Sequence, residues 1–578
     1  MNTMQIDDMI TSSVRQLLSR RKEGEIWRGN LSSSAISTSV SVFALHEIDN
    51  KKYQPYIVKG VDWLQNTMKP DGSWGDSVES PSNLTATLLT YASLYAVGVK
   101  SEPTRIYLKE RFGGDTDEEI IRGVLNYYGK DLTFSVPILV MCALAGIISD
   151  WESIPSFPFE LSVFPQKFFR FLDLPVVSYA IPALIAVGIL RFKKGRKNVF
   201  AFLRNSFIAP SLRVLIKLQP EDGGFLEAAP LTAFVSMCMA QAGYTSHIVT
   251  QKCARFLIDT VREDGSWPID TDLSGWVTSL SIRALEDDLP EREFFIANLR
   301  KRATKEKHPF TGAQPGGWGW SDLNGSVPDG DDTSGSLVAL YTLTQGEYCP
   351  EVGRGIEWLL DLQNRDGGMP TFCKGWGKLP FDRSSADISA HAFLAFTLWK
   401  DTLPASLKSR TEKGGLQLIE WMQKNMTPEG SWTPLWFGDQ DAVDEKAPVY
   451  GTATAVEYLF CSPANGEVRT LADKGVSYLL QAQQADGGWG GAKDVPSKIS
   501  LTSKVLGALA SSGRSDVRKA IERGVSFLYM HYQQGKLYQR EPIGLYFSRL
   551  WYSEELYGAT FVLSAMRKVK KYMLNEGI

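Results

Sequence analysis

The pattern of apolar and polar positions predicts a chain of helices joined by short polar turns. Residues 7–21 form an amphipathic helical pattern, and a second helix is predicted over 57–66. A further helix is predicted over 333–343, a run of small and apolar residues that follows closely spaced aspartates. Two apolar stretches, 132–148 and 175–190, contain proline and approach the length of a membrane span. Because the rest of the chain is soluble in composition, we interpret them as buried helices.

A turn motif recurs along the chain: a helix, a glutamine, an Asp-Gly turn, an aromatic residue and another helix. Its copies, several of them imperfect, lie at 65–74, 219–225, 262–267, 314–318, 363–369, 423–432 and 483–489. The last five copies end at 267, 318, 369, 432 and 489, so they are spaced by 51, 51, 63 and 57 residues. That spacing accommodates two helices and their loops. Asp-Gly makes the turn, and glutamine can bond free backbone groups at a helix end. On its own, the repeat is also compatible with an open helical solenoid that binds a protein.

Composition narrows the classes of function. A chain of 578 residues can hold two or more domains, and its net charge of −3 gives no drive toward nucleic acid. The six cysteines include no CxxC pair, so neither a disulfide scaffold nor a zinc knuckle is indicated. The first residues lack the pattern of a secretion signal. We therefore expect a cytoplasmic protein.

The most informative stretch is 316–337, GGWGWSDLNGSVPDGDDTSGSL. Asp329, Asp331 and Asp332 fall within four residues, and an aspartate before a helix is a natural N-cap. The cluster could be a metal site or a solvated acidic turn. Trp318 and Trp320 lie close upstream, however, and acid beside aromatic rings suits the formation of carbocations. Two carboxyl groups at close range cannot both ionise easily, so one would keep its proton near neutral pH.

GGWGW followed by PDGDDT resembles the class II terpene cyclases, and most of all the squalene–hopene cyclase family, whose acid motif is Asp-x-Asp-Asp-Thr. The repeated turn resembles the QW motif of that family, QxxxGxW, although only the last copy matches in full. The resemblance implies an all-α fold of two α/α barrels (α6–α6 toroids). Residues 1–30 plus 272–578 would form the catalytic barrel, and 31–271 an inserted barrel with a membrane-contacting patch. The substrate cavity would lie between the two.

The resemblance also implies site residues. Asp331 would be the proton donor, Asp329 and Asp332 would support it, and His391, in SADISAH, would hold it as a cationic partner. The expected substrate-binding aromatics are Trp276, Trp320, Phe372, Trp436, Tyr450, Tyr546, Phe547, Trp551 and Tyr552. Protonation of an alkene needs no metal, nucleotide or redox cofactor. Val277 stands where the family often has an acid, so the product need not be hopene.

The implied activity is cyclisation of a linear polyprenoid, squalene or a related triterpene, through carbocations to a polycyclic product. The basic cluster 191–197 precedes an apolar helix in which Phe200, Leu203, Phe207 and Ile208 share one face. Such a pair suits one membrane leaflet, and squalene cyclases carry an apolar patch of this kind. We therefore expect monotopic attachment to the inner face of the cell membrane. A homodimer is compatible with this attachment.

Three alternatives remain at this point. A class II diterpene-type cyclase would share the acid motif but act on a prenyl diphosphate with magnesium. A zinc-dependent prenyltransferase-type barrel would use a related helical fold. A non-catalytic helical-repeat protein would use the repeats only for binding.

Overall fold

The computed structural model describes residues 3–129, 132–164, 181–196, 201–308, 312–372, 382–463, 466–545 and 549–577. The chain is 63% helical, which confirms the all-α prediction. The α-helices are α1 (Thr3–Ser19), α2 (Ala35–Asp49), α3 (Gln54–Asn66), α4 (Leu84–Ala96), α5 (Glu102–Phe112), α6 (Asp117–Tyr128), α7 (Leu132–Leu144), α8 (Ile181–Lys194), α9 (Ala201–Ser206), α10 (Ile208–Leu218), α11 (Ala229–Met239), α12 (Ile248–Thr260), α13 (Ser274–Leu285), α14 (Arg292–Arg302), α15 (Gly330–Thr344), α16 (Pro350–Leu362), α17 (Ala386–Trp399), α18 (Ala405–Lys424), α19 (Pro448–Cys461), α20 (Gly466–Gln481), α21 (Ile499–Ser512), α22 (Arg518–Gln533) and α23 (Tyr557–Glu576). Two short antiparallel pairs join β1 (Ser33–Ser34) to β2 (Trp267–Pro268) and β3 (Ile543–Leu545) to β4 (Leu550–Tyr552).

The C-terminal half closes into an α/α barrel. Helices α13, α15, α17, α19, α21 and α23 each pack against the next, and α23 returns to α13. Helices α14, α16, α18, α20 and α22 pack around this ring. The remaining outer position belongs to α1, which packs on α23 and α22 although it lies at the other end of the chain. The first helix is thus part of the barrel that carries the acid motif.

A second ring forms from the preceding part of the chain. Within the described residues, α2, α4, α7, α8 and α11 contact one another in turn, and α11 closes on α2. Helices α3, α5, α6, α10 and α12 pack outside them. Buried apolar side chains form two separate clusters, one from 6–31 plus 276–573 and the other from 35–267. We propose on this basis that 1–30 plus 272–578 and 31–271 are two domains.

Copies of the repeated turn end several of the outer helices by a local set of hydrogen bonds. In four copies the buried indole Nε1–H donates to the backbone carbonyl ten residues earlier, at 2.7–2.9 Å. The pairs are Trp74 with Leu64, Trp267 with Leu257, Trp432 with Met422, and Trp489 with Leu479. Such carbonyls have no partner within their own helix, so the indole satisfies them. Trp27 makes the same bond to Leu17, at 2.8 Å, which identifies one copy that the sequence motif did not.

In the last copy, Gln483 joins the turn to the next outer helix. Its Nε2 donates to the carbonyls of Gly487 (2.8 Å) and Ala520 (2.9 Å). Gly487 has a φ of +92°, and a Cβ there would stand 2.7 Å from the Arg523 carbonyl oxygen. The turn therefore requires glycine at this position.

The two apolar stretches form helices, as predicted, as far as the structure describes them. α7 covers most of the first, with Pro137 inside it, and α8 covers the end of the second. Both contribute buried side chains to the second ring. None of the helices in the described ranges is both long and apolar enough to span a membrane.

The predicted membrane patch differs from the structure in detail. The sequence analysis expects Leu203 and Ile208 on one exposed helical face. In the structure α9 ends at Ser206, and Ile208 begins the next helix and is buried. Phe202, 83% exposed, and Leu203, 56% exposed, are the apolar side chains that α9 presents to solvent. Phe200 lies outside the described residues.

The basic cluster beside this patch is partly committed to internal bonds. Arg191 is buried, and its Nε donates to the Ile154 carbonyl at 3.0 Å. Lys193 donates to the carbonyl of Ala242. These two charges are therefore less available to an anionic surface than the sequence suggests.

Candidate active site

A cavity of about 350 Å³ lies between the two apolar clusters and is lined by side chains from both. Aliphatic and aromatic groups make up most of its wall. The charged residues that line it are all carboxylic acids: Asp270, Asp329, Asp331, Asp332 and Asp387. No lysine, arginine or histidine of the described residues contributes to this lining. An apolar cavity with a few convergent acids is a natural candidate for the active site.

The start of α15 positions the three aspartates of the motif. Asp329 is the N-cap, and its Oδ1 accepts the backbone N–H groups of Asp331 and Asp332, both at 2.8 Å. Asp329 and Asp332 are buried, whereas the side chain of Asp331 keeps 24% exposure where it lines the cavity. The capping geometry therefore makes Asp331 the most exposed of the three aspartates that line the cavity.

The two supporting acids have raised pKa values. Burial, together with the charge of Asp332, raises the pKa of Asp329 well above its usual range. Burial likewise raises the pKa of Asp332 to about 7. These shifts agree with the prediction that closely spaced carboxyls do not all ionise near neutral pH. Among the described residues, no group of three or more His, Cys, Asp or Glu side chains is arranged to hold a metal ion.

His391 contacts the exposed acid, as predicted. Its Nδ1 lies 2.6 Å from Asp331 Oδ1, and its ring stacks on Tyr458 with centroids 4.3 Å apart. On its other side, Arg283 Nη1 lies 3.2 Å from Nε2. A guanidinium only donates hydrogen bonds, so Nε2 must carry a lone pair and Nδ1 the proton.

The contact with Arg283 therefore favours a neutral ring over the cationic histidine that the sequence analysis expects. His391 is fully buried, and burial lowers its pKa; the charges of Arg283 and Lys504 lower it further, against the opposite effect of Asp331. A neutral His391 donates Nδ1–H to Asp331 Oδ1. The nearby cation is Arg283, which contacts the far side of His391 and not the acid itself.

Four of the predicted aromatics meet at the cavity wall. Trp320 and Trp436 each contact Phe372 edge to face, with centroids 5.9 and 5.0 Å apart. The Trp436 indole donates to the Thr371 hydroxyl, which fixes its ring. Trp276 also lines the cavity and stands edge-on to His391 at 6.2 Å. These rings can stabilise positive charge in the cavity.

The structure places one of the C-terminal candidate rings at the cavity and another away from it. Leu550 and Tyr552 line the cavity, and Trp551 between them does not. Because side chains alternate along a strand, β4 turns the Trp551 side chain to the side opposite Leu550 and Tyr552. The backbone N–H of Trp551 donates to Asp76 at 2.6 Å. Tyr450 is also not part of the lining; it is buried behind Phe437, with centroids 4.7 Å apart. Tyr546 and Phe547 lie outside the described residues.

Sequence reasoning missed a second pair of acids near the cavity. Asp270 lines it and pairs with Ala228 in an isolated antiparallel bridge. Burial raises the pKa of neighbouring Glu227 to about 8, and its carboxyl accepts the Ser321 hydroxyl at 2.8–2.9 Å. Burial and the charge of Glu227 raise the pKa of Asp270 well above its usual range. The acidic run at 270–272, just after a repeat, is the one signal that could have identified this pair.

Comparison with known proteins gives a consistent result. Residues 10–109 match the family model described as the squalene-hopene cyclase N-terminal domain, and 301–495 match the C-terminal domain model. A probable squalene–hopene cyclase of Sinorhizobium fredii is 22% identical over 90% of this chain and 89% of its own length. The enfumafungin synthase of Hormonema carpetanum is also 22% identical, over 93% of this chain, but the match spans only 46% of that protein. The ent-copalyl diphosphate synthase of Streptomyces platensis shares the fold, with a TM-score of 0.55 at 15% identity, over 100% of this chain and 99% of that one.

Proposed function

Because this chain belongs to the class II terpene cyclases, the family of the squalene–hopene cyclases, we propose that it cyclises an uncharged linear polyprenoid, squalene or a related triterpene. Asp331 is the proton donor in this proposal. The observation that carries it is the placement of Asp331, which faces an apolar, aromatic-lined cavity and is held from behind by His391. The similarity to the probable squalene–hopene cyclase of Sinorhizobium fredii supports this class of substrate.

The chemistry starts with transfer of the Asp331 proton to a terminal double bond. A C–H bond forms, the π bond is lost, and Asp331 becomes a carboxylate that keeps the hydrogen bond from His391. Ring closures then move the positive charge along the chain, and loss of a proton or capture of water ends the reaction. Each pKa unit is worth only about 1.4 kcal/mol, so acid strength alone is insufficient. Rings such as Trp320 and Trp436 add about 2 kcal/mol each when water is excluded.

The charge of the cavity supports an uncharged substrate over a prenyl diphosphate. A diphosphate inside it would meet a wall whose charged groups are acids, without an arginine or lysine among the described lining residues. Like charges in a low-dielectric site are strongly unfavourable. The described part of the site therefore gives the diterpene-type alternative no specific support.

The exposed face of α9 supports attachment to one membrane leaflet. Phe202 and Leu203 together present the kind of apolar surface that a peripheral protein inserts between lipid headgroups. We place this contact on the inner face of the cell membrane, so that substrate enters the cavity from the lipid. In liposome flotation, Phe202→Ser combined with Leu203→Ser should reduce the bound fraction, and Val58→Ser, at an exposed apolar position of α3, should not. Equal flotation of all three proteins would refute the attachment.

The function is tested by incubating detergent-purified protein with squalene and, separately, with geranylgeranyl diphosphate plus magnesium. Mass spectrometry should find a cyclic isomer or hydrate from squalene and none from the diphosphate. Exclusive turnover of the diphosphate, abolished by EDTA, would overturn the proposal in favour of the diterpene-type reaction.

A further inference from the structure

Arg283 is a charged residue inside the catalytic barrel that the acid motif and the repeats do not explain. It lies in the last turn of α13, and its guanidinium stands over the Tyr458 ring, 5.2 Å from the centroid. From there Nη1 reaches His391 Nε2 at 3.2 Å, and His391 Nδ1 reaches Asp331 Oδ1 at 2.6 Å. Arginine, histidine and aspartate thus form one line that ends at the cavity.

The direction of hydrogen bonding along this line is fixed by Arg283. Since the guanidinium always donates, Nε2 accepts and the histidine proton sits on Nδ1. Asp331 Oδ1 is then an acceptor, and the proton that Asp331 carries itself must reside on Oδ2. In the opposite tautomer, Nδ1 would be an acceptor and would draw the Asp331 proton away from the cavity toward the histidine. The tautomer therefore determines whether the acid can donate to a substrate.

We propose that Arg283 is a positioning residue, which holds His391 in the Nδ1–H tautomer and so keeps the transferable proton of Asp331 on Oδ2. The inference rests on the proposed function, because it takes Asp331 as the donor. It extends that function by naming the residue that sets the orientation of the acid.

The neighbours of His391 support this assignment. Three charged groups act on His391, namely Arg283 on α13, Asp331 on α15 and Lys504 on α21, and Tyr458 on α19 stacks on its ring. The titratable groups next to these are Asp387 on α17, and Tyr450 and Glu457 on α19. Glu457 is the counter-ion of the cations: although burial raises its pKa, Lys568 (at 3.0 Å), Lys504 and Arg283 bring it below the usual value. Burial lowers the pKa of Lys504 to about 8. Arg283 is the cation among these groups that bonds Nε2 directly.

Two substitutions separate the hydrogen bond from the charge. Arg283→Met removes the donor and keeps an unbranched stem, whereas Arg283→Lys keeps a cationic donor. Lys504→Met is the matched control, because it removes a nearby buried cation that does not bond Nε2. For each variant, kcat and KM on squalene are measured between about pH 5.5 and about pH 8, the range in which histidine titrates.

At about pH 8 we expect Arg283→Met to lose roughly 30-fold in kcat with little change in KM. The loss should shrink toward about pH 5.5, because an imidazolium carries hydrogens on both nitrogens and again donates to Asp331. Arg283→Lys should recover most of the rate, and Lys504→Met should show no comparable pH dependence. A loss that is the same at every pH and is not recovered by lysine would overturn the proposal.

The tautomer is also measured without turnover. Nitrogen-15 NMR of histidine-labelled wild-type protein, which has five histidines, should show His391 neutral with its proton on Nδ1 near pH 7, and Arg283→Met should change that signal. A wild-type proton on Nε2, or an imidazolium, would refute the positioning role even if cyclisation occurs. Absence of any cyclic product with the expected tautomer present would instead refute the proposed function.

Discussion

Trp436 offers a quantitative test of how the cavity stabilises positive charge. The ring lines the cavity, is held by the Thr371 hydroxyl, and contacts Phe372 edge to face at 5.0 Å. A desolvated aromatic face contributes about 2 kcal/mol to a nearby cation. Since about 1.4 kcal/mol in a barrier corresponds to a factor of ten in rate, Trp436→Leu should lower kcat by roughly 30-fold. Trp436→Phe keeps a ring and should remain within a few-fold of the wild type.

The assay is product formation from squalene in detergent, followed by chromatography under saturating substrate. Trp421→Leu is the matched control, because Trp421 lies on an outer helix, α18, where its indole donates to Asp366 at 3.0 Å. It should leave kcat unchanged. If Trp436→Leu is as fast as Trp436→Phe while both remain folded, the ring does not stabilise the cation and the reasoning fails.

Three further outcomes follow from the same contacts. Trp432→Phe leaves the Met422 carbonyl without its 2.9 Å partner at a fully buried site, which costs about 1–3 kcal/mol. Hydrogen exchange of the α18 amides should therefore accelerate by about 5–150-fold, and unchanged exchange would contradict the role of the indole. The folded pKa of Glu227, about 8, lies above its ordinary 4.5, so the unfolded state ionises first and stability falls as pH rises through this window. The difference in melting temperature between Glu227→Gln and the wild type should therefore increase in favour of the variant from pH 5 to pH 8. The exposed Glu429→Gln should show no such increase, and a Glu227→Gln difference that is the same at every pH would contradict the raised pKa. Because no proposed step uses a metal, EDTA should leave squalene cyclisation unchanged, and loss of activity restored by magnesium would contradict this mechanism.

Features set by local interactions were predictable from the sequence. An aspartate before a run of small residues indicated an N-cap for a helix over 333–343, and the structure begins α15 three residues earlier, where Asp329 caps it through two backbone bonds. The Gln and aromatic positions of the repeats indicated helix ends because they bond carbonyls only four to ten residues away, as Gln483 does to Gly487 and Trp489 to Leu479. His391 was found for a different reason, since its segment resembles a family motif.

Features set by the tertiary arrangement were not predictable. Arg283 lies 108 residues from His391, and no pattern in α13 indicates that this one residue points into the barrel toward the acid. Trp551 and Tyr552 are adjacent, and only the short strand β4 decides which of them faces the cavity. Asp270 joins the lining because a bridge to Ala228 brings two distant segments together. The charge of His391 was not predictable for the same reason, since it depends on a partner from another helix.

The most direct test of the account is to run the reaction in heavy water and examine the product by mass spectrometry and NMR. If Asp331 protonates the substrate, each cyclic product should carry one non-exchangeable deuterium at the end where cyclisation began, and Asp331→Asn should form none of this product. A cyclic product without deuterium at that position, or one formed equally well by Asp331→Asn, would contradict the assignment of Asp331 as the acid that starts the reaction.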